Sequence, residues 1–360
     1  MLLPLASLLI FAGTYTPKDG ASQGIYAVRL DPATGAFRTP VLAAATPNPT
    51  FLAAHPNGRV LYALGESPTG GAAASFTIDA PAGTLALLNK EASGGGGFCY
   101  LGLDATARVL VGISYGSGQV SSFPVDPDGR LGPVASLLPT AGKLGPNRAR
   151  QDAPHAHSAT FSPDNRFVYV CDLGLDQVLR YRIDHASARL TLDGVTAAAP
   201  GAGPRHSKFS ADGRFFYVIN ELDSTIATYD CDPATGSLTP LQTISTLPAG
   251  FRGENICAEI RVHPGGRFVY GSNRGHDSLA VFSRDAATGR LTLVEIVPSG
   301  GSHPRNFNLT PEGGWLVCAN RGSDNLVSFK VDPGTGRLTA TGHTATVPKA
   351  VCVLFAVGGN

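Results

Sequence analysis

A turn of the form D-x-x-x-G-x-L, degenerate in places, recurs seven times along the chain. It reads DPATGAF from Asp31, DAPAGTL from Asp79, DPDGRL from Asp126, DHASARL from Asp184, DPATGSL from Asp232, DAATGRL from Asp285 and DPGTGRL from Asp332. The intervals are 48, 47, 58, 48, 53 and 47 residues, so seven similar units fill the chain. Each unit holds a second turn, as in HPNGRVLYAL, SPDNRFVYV, SADGRFFYV, HPGGRFVYG and TPEGGWLVC, with DATARVLVG a degenerate version. Between the turns lie short runs rich in Val, Phe, Tyr, Leu and Ile, too short for helices and bounded by turn residues. Each unit therefore reads as four antiparallel strands, and four-stranded units repeated radially make an all-β, seven-bladed β-propeller.

The phase of the repeat predicts how the ring closes. The chain begins with what resembles a second strand, SLLIFAGTYT, followed by GIYAVRL, and it ends with KAVCVLFAV, which resembles an innermost strand. The C-terminal strand is expected to complete the N-terminal blade, pairing two edges that would otherwise stay open. A solenoid would need polar capping units, whereas both ends here are apolar. Residues 1–360 therefore read as a single propeller domain. The apolar start MLLPLASLLIFAG has no basic leader region and no A-x-A cleavage site, so Leu8 to Tyr15 is taken as a buried strand rather than part of a secretion signal. The apolar run is also too short to span a membrane.

Composition narrows the possible partners. With 44 Gly, 27 Pro and only 15% charged residues, the chain suits many strands and tight turns. A net charge of +1 provides no basic excess for a nucleic acid or an anionic membrane. The six cysteines are scattered with no C-x-x-C pair, which indicates neither a zinc site nor a disulfide framework and fits a reduced, cytoplasmic setting. No metal or other cofactor is expected. The run SGGGG from Ser93 to Gly97 lacks a P-loop or G-x-G-x-x-G frame and reads as a flexible connection between blades. No G-x-S-x-G elbow suggests a serine nucleophile.

Aligning the units locates a candidate site. In each, the start of the innermost strand and the end of the second lie on the same face of the ring. Six residues before the second turn stand Thr50, Cys99, His157, Arg205, Ala258 and Arg305, and ten after it stand Glu66, Tyr115, Leu173, Glu221, Arg274 and Arg321. A purely structural repeat would carry small or apolar residues at these positions. Here they collect a histidine, two glutamates and four arginines at one mouth of the channel. Such charges either form a structural ion ring or hold a polar ligand, and the excess of arginine suits a small anion. His155 orients a loop or joins the site; His206 and His303 flank the arginines and are placed to line the pocket. His55 and His263 stand in turns on the far face.

The segments GTYT, PHAHSATFSPDNRFVYV, GAGPRHSKFSADGRFFYVINEL, AEIRVHPGGRFVYGSNRGHDSLAVF and HPRNFNLTPEGGWLVCAN resemble the lactonase family of seven-bladed propellers. That family includes bacterial 6-phosphogluconolactonases and fungal 3-carboxy-cis,cis-muconate lactonising enzymes. The fungal branch is described as using a histidine, two arginines and a glutamate, which by motif fall on His157, Arg205, Glu221 and Arg274. The resemblance implies either hydrolysis of a sugar lactone, 6-phosphogluconolactone foremost, or lactone formation from a muconate by a cycloisomerase. For hydrolysis, His157 or Glu221 would be the base. A carboxylate set among arginines is the weaker base at neutral pH, which favours His157. Arg205 and Arg274 would hold the oxyanion and grip an anionic substituent, with His155, His206, Glu66, Arg305 and Arg321 around the substrate. A propeller acting as a protein-binding platform would instead present an apolar face, but the mouth is charged and the lone Trp315 sits in a core-like strand.

Overall fold

The computed structural model describes residues 7–356, which form 28 strands, numbered β1 to β28 along the chain, in seven four-stranded antiparallel sheets. Six sheets are consecutive in sequence. The seventh is ordered β28-β1-β2-β3, with β28 at Ala350–Phe355, β1 at Leu8–Thr14, β2 at Gly24–Leu30 and β3 at Val41–Ala45. The ring therefore closes as expected, with Ile10 opposite Phe355 and Ala12 opposite Val353. The N-terminal strand ends at Thr14, one residue before the expected boundary, and Tyr15 leaves the sheet. The first six residues of the apolar start lie outside the described residues, as do 357–360. No helix long and apolar enough to cross a membrane occurs among the described residues.

The repeated turns hold neighbouring blades together. In DPATGSL the Asp232 carboxylate accepts from the backbone N of Ala234, and Gly236 N donates back to Asp232 O. Gly236 has φ 71°, and a Cβ there would meet the Phe167 ring of the preceding blade at 2.9 Å. Gly289 abuts Phe215 in the same way, and Gly336 abuts Phe268. Three tyrosines complete the contact: the hydroxyls of Tyr169, Tyr217 and Tyr270 donate to the carbonyls of Gly236, Gly289 and Gly336 at 2.6, 2.9 and 3.0 Å. Trp315 closes the circle, its ring under Gly35 and its Nε1 donating to Pro32 O.

The SGGGG connection is less free than its composition suggests. Ser93 is fully buried, and a Cβ at Gly95, Gly96 or Gly97 would approach other atoms to within 2.7 Å. These glycines permit close backbone packing rather than slack.

Candidate active site

The innermost strands that follow a blade connection include β8 (Phe98–Leu103), β12 (Ala156–Phe161), β16 (Pro204–Phe209), β20 (Ile256–Val262) and β24 (Pro304–Leu309). In β8, β12, β16 and β24 the pairing with the second strand slips by one residue. The residue left unpaired is Cys99, His157, Arg205 or Arg305. These are β-bulges, which bend the strand and re-aim the extra side chain. The candidate residues project at the channel mouth because the sheet breaks its alternation there.

The ends of the second strands are held by one repeated bond. The backbone N of Glu66, Tyr115, Leu173, Glu221 and Arg321 donates to the carbonyl of Asn48, Gly97, His155, Gly203 and His303 in turn, each two residues before the first-strand position. The composite blade obeys the same rule, since Tyr15 N donates to Lys349 O. Tyr15 is thus the seventh member of this ring. Its unit is divided between the two chain ends, so counting from a second turn cannot find it.

Glu221 is the centre of the mouth. Its Oε2 accepts from Arg205 Nε at 2.8 Å and Arg274 Nη2 at 2.9 Å, and its Oε1 from Arg150 Nη2 at 2.5 Å. Burial alone would raise this carboxyl, but Arg274, Arg205 and Arg150 hold it well below the usual carboxylate range. Arg205 and Arg274 are buried and also donate to Ala258 O and Cys257 O, both at 2.6 Å. Arg150 lies in a connection outside the repeat, where aligning the units cannot reach it.

Among the described residues, Arg305 has no carboxylate in ion-pair contact. Its Nη2 reaches the Tyr15 hydroxyl at 3.3 Å, and Arg321 lies over the Tyr15 ring at 5.0 Å. Glu66 accepts from Thr50 Oγ1 at 2.7 Å. Five guanidiniums thus surround two carboxylates at this face. The surplus suits an anion.

A cavity of about 390 Å³ opens at the mouth, lined by Glu66, Tyr115, Arg150, His157, Glu221, Arg274 and Arg305 among others. This lies within the range of about 300–1,000 Å³ usual for small-molecule sites. His157, Cys99 and Arg305 also line a smaller cavity beneath it, with Arg205 and His206, so these three form the floor of the mouth. The His157 ring packs edge-on to Tyr115 and His206, and its buried Nδ1 has no partner. Burial and then Arg205 push its pKa well below the ordinary value, so the imidazole is neutral at pH 7.

Two expected ligand residues have other duties. His155 does not line the mouth: its ring stacks on Tyr115 at 4.3 Å, Nδ1 meets Tyr115 O at 3.0 Å, and Nε2 meets Asp152 Oδ1 at 3.0 Å. It holds the loop. Arg321 stands behind Tyr15, outside the residues lining the cavity. His206 lies one layer down, its Nδ1 donating to the fully buried Glu259 at 3.2 Å. Glu259 also accepts from Asn306 Nδ2 and faces Arg261 at 3.6 Å. His303 keeps a positive φ of 59°, at a position where Gly97 and Gly203 stand in other blades, and its buried Nε2 has no partner. Among the described residues, no group of three His, Cys, Asp or Glu side chains is gathered to hold a metal ion.

The family model for Lactonase, 7-bladed beta-propeller, matches residues 9–355. A 6-phosphogluconolactonase of Bacillus subtilis is 38% identical over 96% of this chain and 97% of its own. A 6-phosphogluconolactonase of Formosa agariphila is 33% identical over 84% and 86%. The solved structure of a periplasmic gluconolactonase from Pseudomonas aeruginosa superposes with a TM-score of 0.91 at 32% identity, covering 98% of this chain and 99% of that one.

Proposed function

The chain belongs to the lactonase family of seven-bladed β-propellers, and on that premise we propose that it hydrolyses a sugar lactone, 6-phospho-D-glucono-1,5-lactone, to 6-phosphogluconate in the charged mouth. The observation that carries this reading is the floor of the cavity, where a neutral histidine and an arginine without a carboxylate partner stand together. Opening a lactone requires a base for the attacking water and positive charge where the oxyanion develops.

His157 takes the proton from water as it adds to the lactone carbonyl, and returns it to the ring oxygen as the bond between that oxygen and the carbonyl carbon breaks. Glu221 is unsuited to that task, because both its oxygens accept from arginines and its carboxyl is held ionised. Arg305 and Arg274, which both line the cavity, hold the developing oxyanion. Arg205, deeper and bound to Glu221 and Ala258 O, fixes the carboxylate that positions Arg274. Glu66, Tyr115 and His206 contribute to the walls.

The six cysteines are free thiols, five of them buried, which supports a reducing, cytoplasmic setting for the reaction.

The test is an assay of purified protein on 6-phosphogluconolactone, gluconolactone and 3-carboxymuconate, with spontaneous lactone opening subtracted. Acceleration of a lactone is expected, and turnover of the muconate alone would replace hydrolysis with lactone formation. His157→Gln and Arg305→Gln should each lower kcat/KM by about a hundredfold or more with little change in melting temperature. Variants that lose stability but keep the rate per folded molecule would reduce the charged ring to a structural feature.

A further inference from the structure

Arg150 lies in the longest connection between blades, residues 140–155, between β11 (Ser136–Pro139) and β12. This segment is pinned. The Gln151 side chain is fully buried; its Nε2 donates to Leu173 O at 2.9 Å and its Oε1 accepts from Asn147 N at 2.9 Å. Gly145 N donates to Gly174 O, and the Thr140 hydroxyl donates to Asp172 at 2.7 Å. The guanidinium of Arg150 is therefore delivered to the rim by a built support.

Of the three arginines on Glu221, it alone stands exposed at the rim. The Arg205 and Arg274 side chains are 2% and 4% exposed and also bind backbone carbonyls, whereas that of Arg150 is 35% exposed. Its Nη2 donates to Glu221, and the guanidinium also faces the Tyr115 side chain. The cavity is therefore polarised: His157 and Arg305 are on its floor, and Arg150 is at its open edge beside Tyr115. A lactone whose ring carbonyl reaches the floor directs its exocyclic substituent to the rim.

We propose that Arg150 is the specificity-determining residue, gripping a phosphate ester on the exocyclic carbon of the lactone and setting the preference for phosphorylated over unphosphorylated sugar lactones. This rests on the lactone-hydrolase reading above. A guanidinium fork matches two phosphate oxygens at once, and each hydrogen bond to a charged group is worth about 1.5–3 kcal/mol. That is about tenfold to a hundredfold in affinity. The bond to Glu221 keeps the fork oriented before substrate arrives.

The test compares wild type, Arg150→Ala and Arg150→Lys by kcat/KM on 6-phosphogluconolactone and on gluconolactone. The ratio of the first to the second should fall at least about tenfold in Arg150→Ala, with Arg150→Lys recovering only part of it, because an ammonium cannot make the paired contact. If both substrates lose the same factor, Arg150 is only a clamp on Glu221 and the proposal is overturned. Calorimetric titration with the stable acids 6-phosphogluconate and gluconate separates this from failure of the lactonase reading. Should wild type open neither lactone, a selective loss of 6-phosphogluconate binding in Arg150→Ala still supports the assignment. Equal binding by wild type and Arg150→Ala overturns it.

Discussion

With three guanidiniums on its two oxygens, Glu221 is a fixed anion that orients cations, while burial and then Arg205 keep His157 neutral. The pH dependence follows from this arrangement. The folded pKa of His157 lies below 6.5, so its basic form persists below the pH at which an ordinary histidine protonates. For gluconolactone, which carries no titrating phosphate, kcat/KM should stay flat as pH falls from 8 to about 6. An acid limb centred between pH 6 and 7 would count against His157 as the base. The His206–Glu259 pair makes a pH-dependent contribution to stability. Burial and Arg205 lower His206 from 6.5 to about 3; burial opposes ionisation of Glu259, yet Arg261 and His206 bring it from 4.5 to about 2. Both folded pKa values lie below the unfolded ones, so the unfolded chain binds more protons and the stabilisation is lost as pH falls. The melting temperature should drop progressively between about pH 6.5 and 2, and His206→Gln should flatten the upper part of that fall. A melting temperature independent of pH over this window would refute the linkage.

Among the elements, the outer turn and the tyrosine of the preceding blade act as a pair, and blade order decides where the pair can form. Tyr217 donates to Gly289 O, but the equivalent Tyr62 is fully buried with its hydroxyl unpartnered. The blade after Tyr62 carries the shorter turn DPDGRL, whose Gly129 packs against Val60 instead. Tyr217→Phe should therefore cost about 1 kcal/mol, while Tyr62→Phe should be neutral or stabilising because it removes a hydroxyl that is buried and unsatisfied. Chemical denaturation of the two variants decides this, and equal losses would contradict it.

Across the whole molecule, closure depends on β28. It pairs with β1 from Ile10–Phe355 to Thr14–Ala350, and its Val353 N donates to Asn306, which in turn donates to Glu259, which accepts from His206. A polar belt thus ties the inner strands of four successive blades around the channel, continuing from the closing strand. Removing residues 349–360 exposes the β1 edge and cuts the belt. The shortened chain should aggregate or unfold well below the wild-type melting temperature, as measured by size exclusion and thermal melting. A monomer of unchanged melting temperature would show that the closing strand is dispensable.

The number of blades, the phase of closure and the positions from which His157, Arg205, Glu221, Arg274 and Arg305 face one mouth are legible in the amino-acid spacing alone. These follow from local spacing, since turn residues recur at fixed intervals and strands have a fixed rise. The tertiary structure decided what no interval encodes. Arg150 arrives on a connection outside the repeat, and Tyr15 belongs to a unit assembled from both chain ends. Glu259 is held in the channel by His206 and Asn306, from the blades on either side of its own. His155, one residue before its strand, is turned to the loop by Tyr115 and Asp152. In each case the deciding partner lies in another blade or across the chain ends, and it comes within hydrogen-bonding distance only when the ring has closed.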